Sequence, residues 1–162
     1  MERPRKLLII WHSRTGASKA MARAAASSAA GDAIMLRASD VDSGDLLAAG
    51  GYLFICPENL AAMSGEMKEM FDRNYYPLLG QIEGRPYATA IAAGSDGEGA
   101  QRQIDRIATG WRLRRVADPL IINFNAQTGS AILAPKKLPA AAKVLCEELG
   151  AVLSQGLKLG VF

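Results

Sequence analysis

Three short, uninterrupted apolar runs recur along this chain. Each is followed by a loop of small and polar residues and then by a helical pattern. The runs are Leu7-Leu8-Ile9-Ile10-Trp11, Tyr52-Leu53-Phe54-Ile55-Cys56 and the segment Tyr87 to Ala93. A strand that is apolar at every position must be covered on both faces, which is the condition of a strand in a parallel sheet. Parallel neighbours need a crossover connection, and the helical patterns between the runs supply it. The alternation therefore dictates a parallel sheet with helices on both faces.

The remaining segments fill out that plan. Ala33 to Arg37 reads as a weaker second strand. Val116 to Phe124 reads as a last one, at an edge or carrying a bulge, because Pro119 has no amide to donate. Pro57 is expected to stop the strand before it. About five strands fit, with no repeat or linker, and 162 residues suit a single domain spanning 1–162. Ala17, Ala20, Met21, Ala24, Ala25 and Ser28 form a small-residue helix face that allows close approach to a sheet, with Gly31 at C′. Ser43 to Ala49 reads as a short helix capped by Ser43. Ser64 is placed to cap a helix from Gly65 to Tyr76, with Met67, Met70, Phe71 and Tyr75 on one side and Pro77 at its end. A helix from Gly99 to Trp111 follows, with a stripe of Ile104, Ile107, Ala108 and Trp111. Asn125 to Lys137 reads as a long loop, either a homodimer contact or a substrate flap. Pro139 suits N1 of a last helix. Its expected buried stripe is Ala142, Leu145, Leu149 and Val152, with Gly150 weakening it and Gly156 as its stop.

Composition narrows the class. With 49% hydrophobic and 22% charged residues, the chain is neither disordered nor fibrous. A net charge of +3 and a pI near 9.0 do not by themselves argue for nucleic acid, and none is expected as a partner. Cys56 and Cys146 are too few for a disulfide framework and fit a reduced, cytoplasmic setting. The start, Met1 to Lys6, is basic, but the apolar run after it is too short for a signal segment, and nothing is long enough to span a bilayer.

In open parallel sheets, ligands bind beyond the carboxyl ends of the strands. The first loop there is His12-Ser13-Arg14-Thr15-Gly16-Ala17-Ser18, rich in hydroxyls and feeding a helix N-terminus. Such a place suits a phosphate, although an ordinary capped turn would look the same, and the Lys of a Walker loop is missing. The second is Pro57-Glu58-Asn59-Leu60-Ala61-Ala62-Met63-Ser64-Gly65, which suits a flat heteroaromatic ligand. The third is Gly94-Ser95-Asp96-Gly97-Glu98-Gly99-Ala100, whose glycine spacing is not that of a dinucleotide fold. His12 has no second histidine for a metal site, and none is expected. Met63, Met67 and Met70 read as core or interface, and Cys56 as packing. Arg102, Arg106, Arg112, Arg114 and Arg115 read as a solvated face, with attraction of the extra phosphate of NADPH or of an acidic partner as a subordinate idea.

Taken together the loops resemble a known family. Ser13-Arg14-Thr15-Gly16-Ala17-Ser18 resembles the flavodoxin phosphate loop. Pro57-Glu58-Asn59, with Met63-Ser64-Gly65-Glu66-Met67-Lys68-Glu69-Met70-Phe71-Asp72-Arg73, resembles the flavin loop and following helix of flavodoxin-like NAD(P)H-dependent reductases. Gly94-Ser95-Asp96-Gly97 with Gly99-Ala100 is similar to their third loop.

The resemblance implies an α/β, single-domain, flavodoxin-like three-layer sandwich with a five-stranded parallel sheet in the order 2-1-3-4-5. It implies FMN, with Ser13, Arg14, Thr15, Gly16, Ala17 and Ser18 on the phosphate and Pro57, Glu58, Asn59, Leu60, Gly94, Ser95, Asp96 and Gly97 along the isoalloxazine. It further implies hydride transfer from NAD(P)H through FMN to a quinone, flavin or similar small-molecule acceptor, with no protein acid–base pair. The alternative is a non-enzymatic flavodoxin-type electron carrier. A flavin-free interaction module on the same sheet is a third reading. Two departures, no aromatic residue from Glu58 to Ala62 and a basic rather than acidic chain, favour the reductase branch or a weak flavin binder. Glu58, Asp96 and Glu98 near the ring would disfavour an anionic reduced flavin.

Overall fold

A computed structural model describes residues 5–162; the basic start up to Pro4 lies outside them. The first apolar run forms β1 (Leu7–Trp11), flanked by β2 (Ala33–Arg37) and β3 (Gly51–Asn59). β3 pairs in turn with β5 (Pro86–Ala93), and all of these ladders are parallel. The outer edge is made of two pieces, β6 (Arg114–Arg115) and β7 (Leu120–Asn123), both parallel to β5. Pro119 lies in the break between them, as its missing amide requires. Counting the divided edge as one strand and leaving aside a two-residue hairpin strand that pairs only with β3, the order is the expected 2-1-3-4-5. Trp11 pairs with Ile55 and Ile55 with Ala90, and the three runs are parallel, so their loops leave the same edge of the sheet.

Pro57 does not stop β3, which runs on to Asn59 and turns back as β4 (Ala62–Met63). The Ile55 carbonyl accepts from the His12 amide, so the alternate residue Pro57 faces the same side. Strand β1 has already ended there at Trp11, and no ladder partner misses the proline's amide.

The two sheet faces bury different chemistry. Leu8, Ile10, Tyr52, Phe54, Cys56 and Ile91 face α2 (Ser43–Ala48), α3 (Gly65–Leu78) and α4 (Glu98–Gly110). This layer holds most of the buried rings, with Phe54 5.0 Å from Phe71 and Phe71 5.6 Å from Trp111. Met63, Met67 and Met70 are buried in it. Leu7, Ile9, Leu53, Ile55, Ala88 and Ala90 face α1 (Ala17–Ser27) and α6 (Ala140–Leu159). That layer is thin because its side chains are small.

The thin layer explains where α6 departs from expectation. Its buried stripe is Ala142, Cys146, Gly150 and Leu153, while Leu145 and Val152 are 45% and 54% exposed. A Cβ on Gly150 would lie 2.1 Å from the Ala25 carbonyl oxygen, so α1 and α6 meet backbone to backbone at this glycine. Gly150 is the contact point, not a weak spot. Gly156 does not stop the helix either; it lies under the Phe162 ring, and the left-handed residue at the end is Gly160.

Smaller corrections concern helix ends. Asp42, not Ser43, caps α2, in a reciprocal capping box with Asp45. Pro77 lies inside the last turn of α3, and Pro139 precedes α6 as its cap residue. Gly31 is left-handed but falls beyond the end of α1, whose cap is Ser28. The expected loop from Asn125 to Lys137 contains a short helix, α5 (Gly129–Leu133). No helix among the described residues is long and apolar enough to cross a membrane. Cys56 and Cys146 are both free and buried.

Candidate functional site

The first loop begins where β1 leaves the sheet. Gly16, at φ 98°, is the left-handed residue that turns the chain into α1, and its amide donates to Ser13 Oγ at 3.0 Å. The first amides of a helix have no intrahelical acceptor and carry the positive end of its dipole. Ala17 and Ser18 bring that end to the wall of a cleft. Ser18 is 1% exposed, and its Oγ has no hydrogen-bond partner. Such an orphaned hydroxyl costs about 1–3 kcal/mol unless an acceptor reaches it.

The second loop is the β3–β4 hairpin. Its two turn residues, Leu60 and Ala61, are both left-handed, at φ 53° and 62°. This turn type normally takes Asn-Gly, and side chains there cost of order 1 kcal/mol each. Leu60 is fully exposed at the tip. The turn is pinned from behind. Glu58 accepts from the amides of Gly97 at 2.9 Å and Ala100 at 3.1 Å, and Gln103 Oε1 accepts from the Met63 amide at 2.9 Å. A Cβ on Gly99 would stand 2.1 Å from the Ala61 carbonyl oxygen. The hairpin thus rests on the head of α4.

The third loop follows β5. Gly97, at φ 89°, caps α4, and its amide is committed to Glu58. Asn123 Nδ2 donates to the Ser95 carbonyl at 2.8 Å. A fourth segment joins these three. Ala126 donates its amide to the Gly94 carbonyl at 2.9 Å, and Lys136 donates its own to the Thr15 carbonyl at 2.9 Å.

These segments enclose two adjoining hollows that open to solvent. Ser13, Arg14, Thr15, Ala17, Ser18, Pro57, Glu58, Asn59 and Gly94 line the first, with Leu60 and Ser95 joining at the second. Gly16 shapes the turn without lining either. Asp96 and Gly97 also line neither: Asp96 is exposed, and Gly97 faces Ile121. Of the three acids expected near a ring, only Glu58 borders the space. Its charge lies against the positive end of α4, and Glu98 pairs outward with Arg102 at 3.5 Å. The like-charge effect expected of all three is therefore confined to a capped carboxylate.

Phe124, Ala126, Ile132 and Lys136 also line the cleft; the last three lie in the segment read as a homodimer contact or a substrate flap, and sequence reasoning singled out none of the four. Phe124 stands just past the carboxyl end of the last strand, where the strand-end rule could have found it. Nothing in the sequence brings Ile132 or Lys136 back to the first loop.

Other singled-out residues fall outside the cleft. His12 Nδ1 lies 2.8 Å from Ser64 Oγ, and its Nε2 is 3.8 Å from Glu66. Ser64, at the cap position of α3, therefore spends its hydroxyl on His12 instead of capping. Burial, assisted by Arg37 and Arg14, lowers the His12 pKa below its usual value against the pull of Glu66. Burial pushes the Cys56 thiol up to about 12, which makes it inert. Arg114 and Arg115 pair with the first residues of β5, and Arg115 is held by Asp105. They stand toward the other end of β5 from the cleft, roughly 20 Å away at ~3.3 Å per residue.

No family model matches the chain. A flavodoxin from Aquifex aeolicus (strain VF5) is 28% identical over 165 residues, covering 96% of this chain and 89% of that protein. Among solved structures, a flavodoxin from the domain Archaea superposes with a TM-score of 0.74 at 18% identity, covering 94% of this chain and 99% of its own. The rubredoxin oxygen:oxidoreductase of the anaerobe Desulfovibrio gigas gives 0.75 at 15% identity, with 98% of this chain matching 38% of that one. By strand order and superposition the chain has the flavodoxin-like fold, and its sequence is similar to that of a flavodoxin along nearly its whole length.

Proposed function

We propose that the protein binds FMN in this cleft and works as a flavodoxin-type electron carrier. The observation that carries the cofactor reading is Ser18 Oγ, buried and unpartnered in the first turn of α1, at the wall of the cleft. A phosphate there satisfies the hydroxyl, and the first-turn amides of α1 add donors and the helix dipole. Arg14 and the Ser13 and Thr15 hydroxyls stand in the same wall. FMN, when bound, supplies the redox chemistry, while the protein supplies position and electrostatics. The β3–β4 hairpin and Gly94-Ser95 would border the ring. Gly94 lines both hollows, and the Ala126 carbonyl packed on it leaves no room for a side chain.

The carrier reading is favoured over an enzyme by the similarity to flavodoxins along nearly the whole chain. The exposed tip at Leu60 and Ala61 also offers a partner protein an apolar contact beside the ring. One feature favours a second reading, an NAD(P)H-dependent reductase passing electrons to a small acceptor: no aromatic side chain covers the space from Glu58 to Ala62, leaving room for a nicotinamide.

The visible spectrum of the purified protein, with and without added FMN, tests the cofactor. A co-eluting flavin band that is absent from Gly16→Asp supports it. Anaerobic mixing of the loaded protein with NADPH and with NADH separates the two readings: the carrier bleaches slowly, the reductase within a turnover.

A further inference from the structure

We infer that the segment from Phe124 to Lys136 is a fourth cofactor-holding element, and that Ile132 is the side chain through which it retains the flavin. This rests on the FMN reading above. The segment is clipped at both ends to loops that would hold the cofactor. At one end the Ala126 amide donates to Gly94, and a Cβ on Gly94 would stand 2.6 Å from the Ala126 carbonyl oxygen. At the other the Lys136 amide donates to the Thr15 carbonyl in the first loop. Between the clips the chain spans the cleft from the β5 side to the β1 side.

The short helix between them, α5, buries no residue of its own. A free helix of this length does not persist in water. It is held instead at both ends. Thr128 Oγ1 accepts from the Ala131 amide at 3.2 Å, and Lys136 Nζ donates to the carbonyls of Ala131, Ile132 and Ala134 at 2.6, 3.1 and 2.6 Å. A helix that buries none of its own residues, yet is capped twice and set against a cleft, is placed to cover what enters that cleft. Ile132 borders both hollows, whereas the next residue, Leu133, borders neither. Ile132 so adds an apolar contact to both hollows, beside a second loop that has no aromatic residue.

The test is the rate at which FMN leaves the loaded full-length protein on dilution, read from the return of free-flavin fluorescence. Ile132→Ala is expected to release FMN about tenfold faster, as fits the loss of a half-buried aliphatic side chain. Its bound-flavin absorption should shift toward that of free FMN while its far-ultraviolet circular dichroism stays unchanged. Lys136→Met, which frees the end of α5, is expected to release at least as fast. Leu133→Ala is expected to match wild type within twofold. Release from Ile132→Ala at the wild-type rate overturns the inference and leaves the cofactor reading standing. So does equal acceleration by Leu133→Ala, which would report only the looseness of α5. A wild-type chain that takes up no FMN overturns both.

Discussion

Glu58, at the end of β3, accepts the Gly97 amide at the head of α4 through Oε1 at 2.9 Å, while its Oε2 takes that of Ala100. One carboxylate therefore caps a helix and sets the spacing between the second and third loops. Glu58→Ala leaves two amides without an acceptor. A loss of about 1–2 kcal/mol is expected, which at this chain length lowers Tm by about 2–8 °C. Glu58→Gln keeps an acceptor oxygen and should lose less. Thermal melts of the three proteins check this, and an unchanged melt for Glu58→Ala would show that the bonds contribute nothing.

Ser18→Ala separates stability from binding. Removing a buried hydroxyl that lacks a partner should raise the stability of the FMN-free protein by about 1 kcal/mol. The same change removes a phosphate donor and should weaken FMN binding several-fold. Urea unfolding without ligand and an FMN titration read the two effects. If both quantities move in the same direction, the hydroxyl does not face the ligand.

Gly150→Ala should destabilise the protein although alanine is the better helix former by about 1 kcal/mol. The new methyl would meet the Ala25 carbonyl at 2.1 Å, and the obstacle is backbone. A net loss of about 2 kcal/mol or more is expected in urea unfolding. A stabilised variant would mean that α1 and α6 do not approach as closely as described.

This glycine also marks the limit of what the sequence reveals. The sheet was legible because Leu7 to Trp11, Tyr52 to Cys56 and Tyr87 to Ala93 can only be strands covered on both faces. The first three loops were legible because strand ends in such a sheet are ligand positions. The face of α6 was not, because Leu145 and Val152 outrank Gly150 and Cys146 in apolarity, while closeness of backbones decided the contact. The fourth segment was not, because its place over the cleft depends on two long-range amide bonds, from Ala126 to Gly94 and from Lys136 to Thr15. Pro57 misled because its effect depends on which side of the strand lacks a neighbour.

The lowered pKa of His12 gives stability a pH dependence with a definite sign. Its folded value lies below its ordinary 6.5, with burial as the largest cause. The unfolded chain therefore takes up the proton more readily. The stabilisation is fully present above pH 6.5 and is lost as pH falls from there through the lower folded value. Unfolding free energies at pH 5, 6, 7 and 8 should rise with pH in this window, and His12→Gln should flatten that part of the curve. An unchanged slope in the variant would assign the dependence to other groups.

Titration of the FMN-free protein with FMN, followed by quenching of flavin fluorescence, tests cofactor binding itself. Saturable quenching at one FMN per chain is expected, with Kd at about the micromolar level or below, and it should be lost in Gly16→Asp. Free flavin emission that stays unquenched with the protein in excess at tens of micromolar, about tenfold or more above that Kd, would contradict the account.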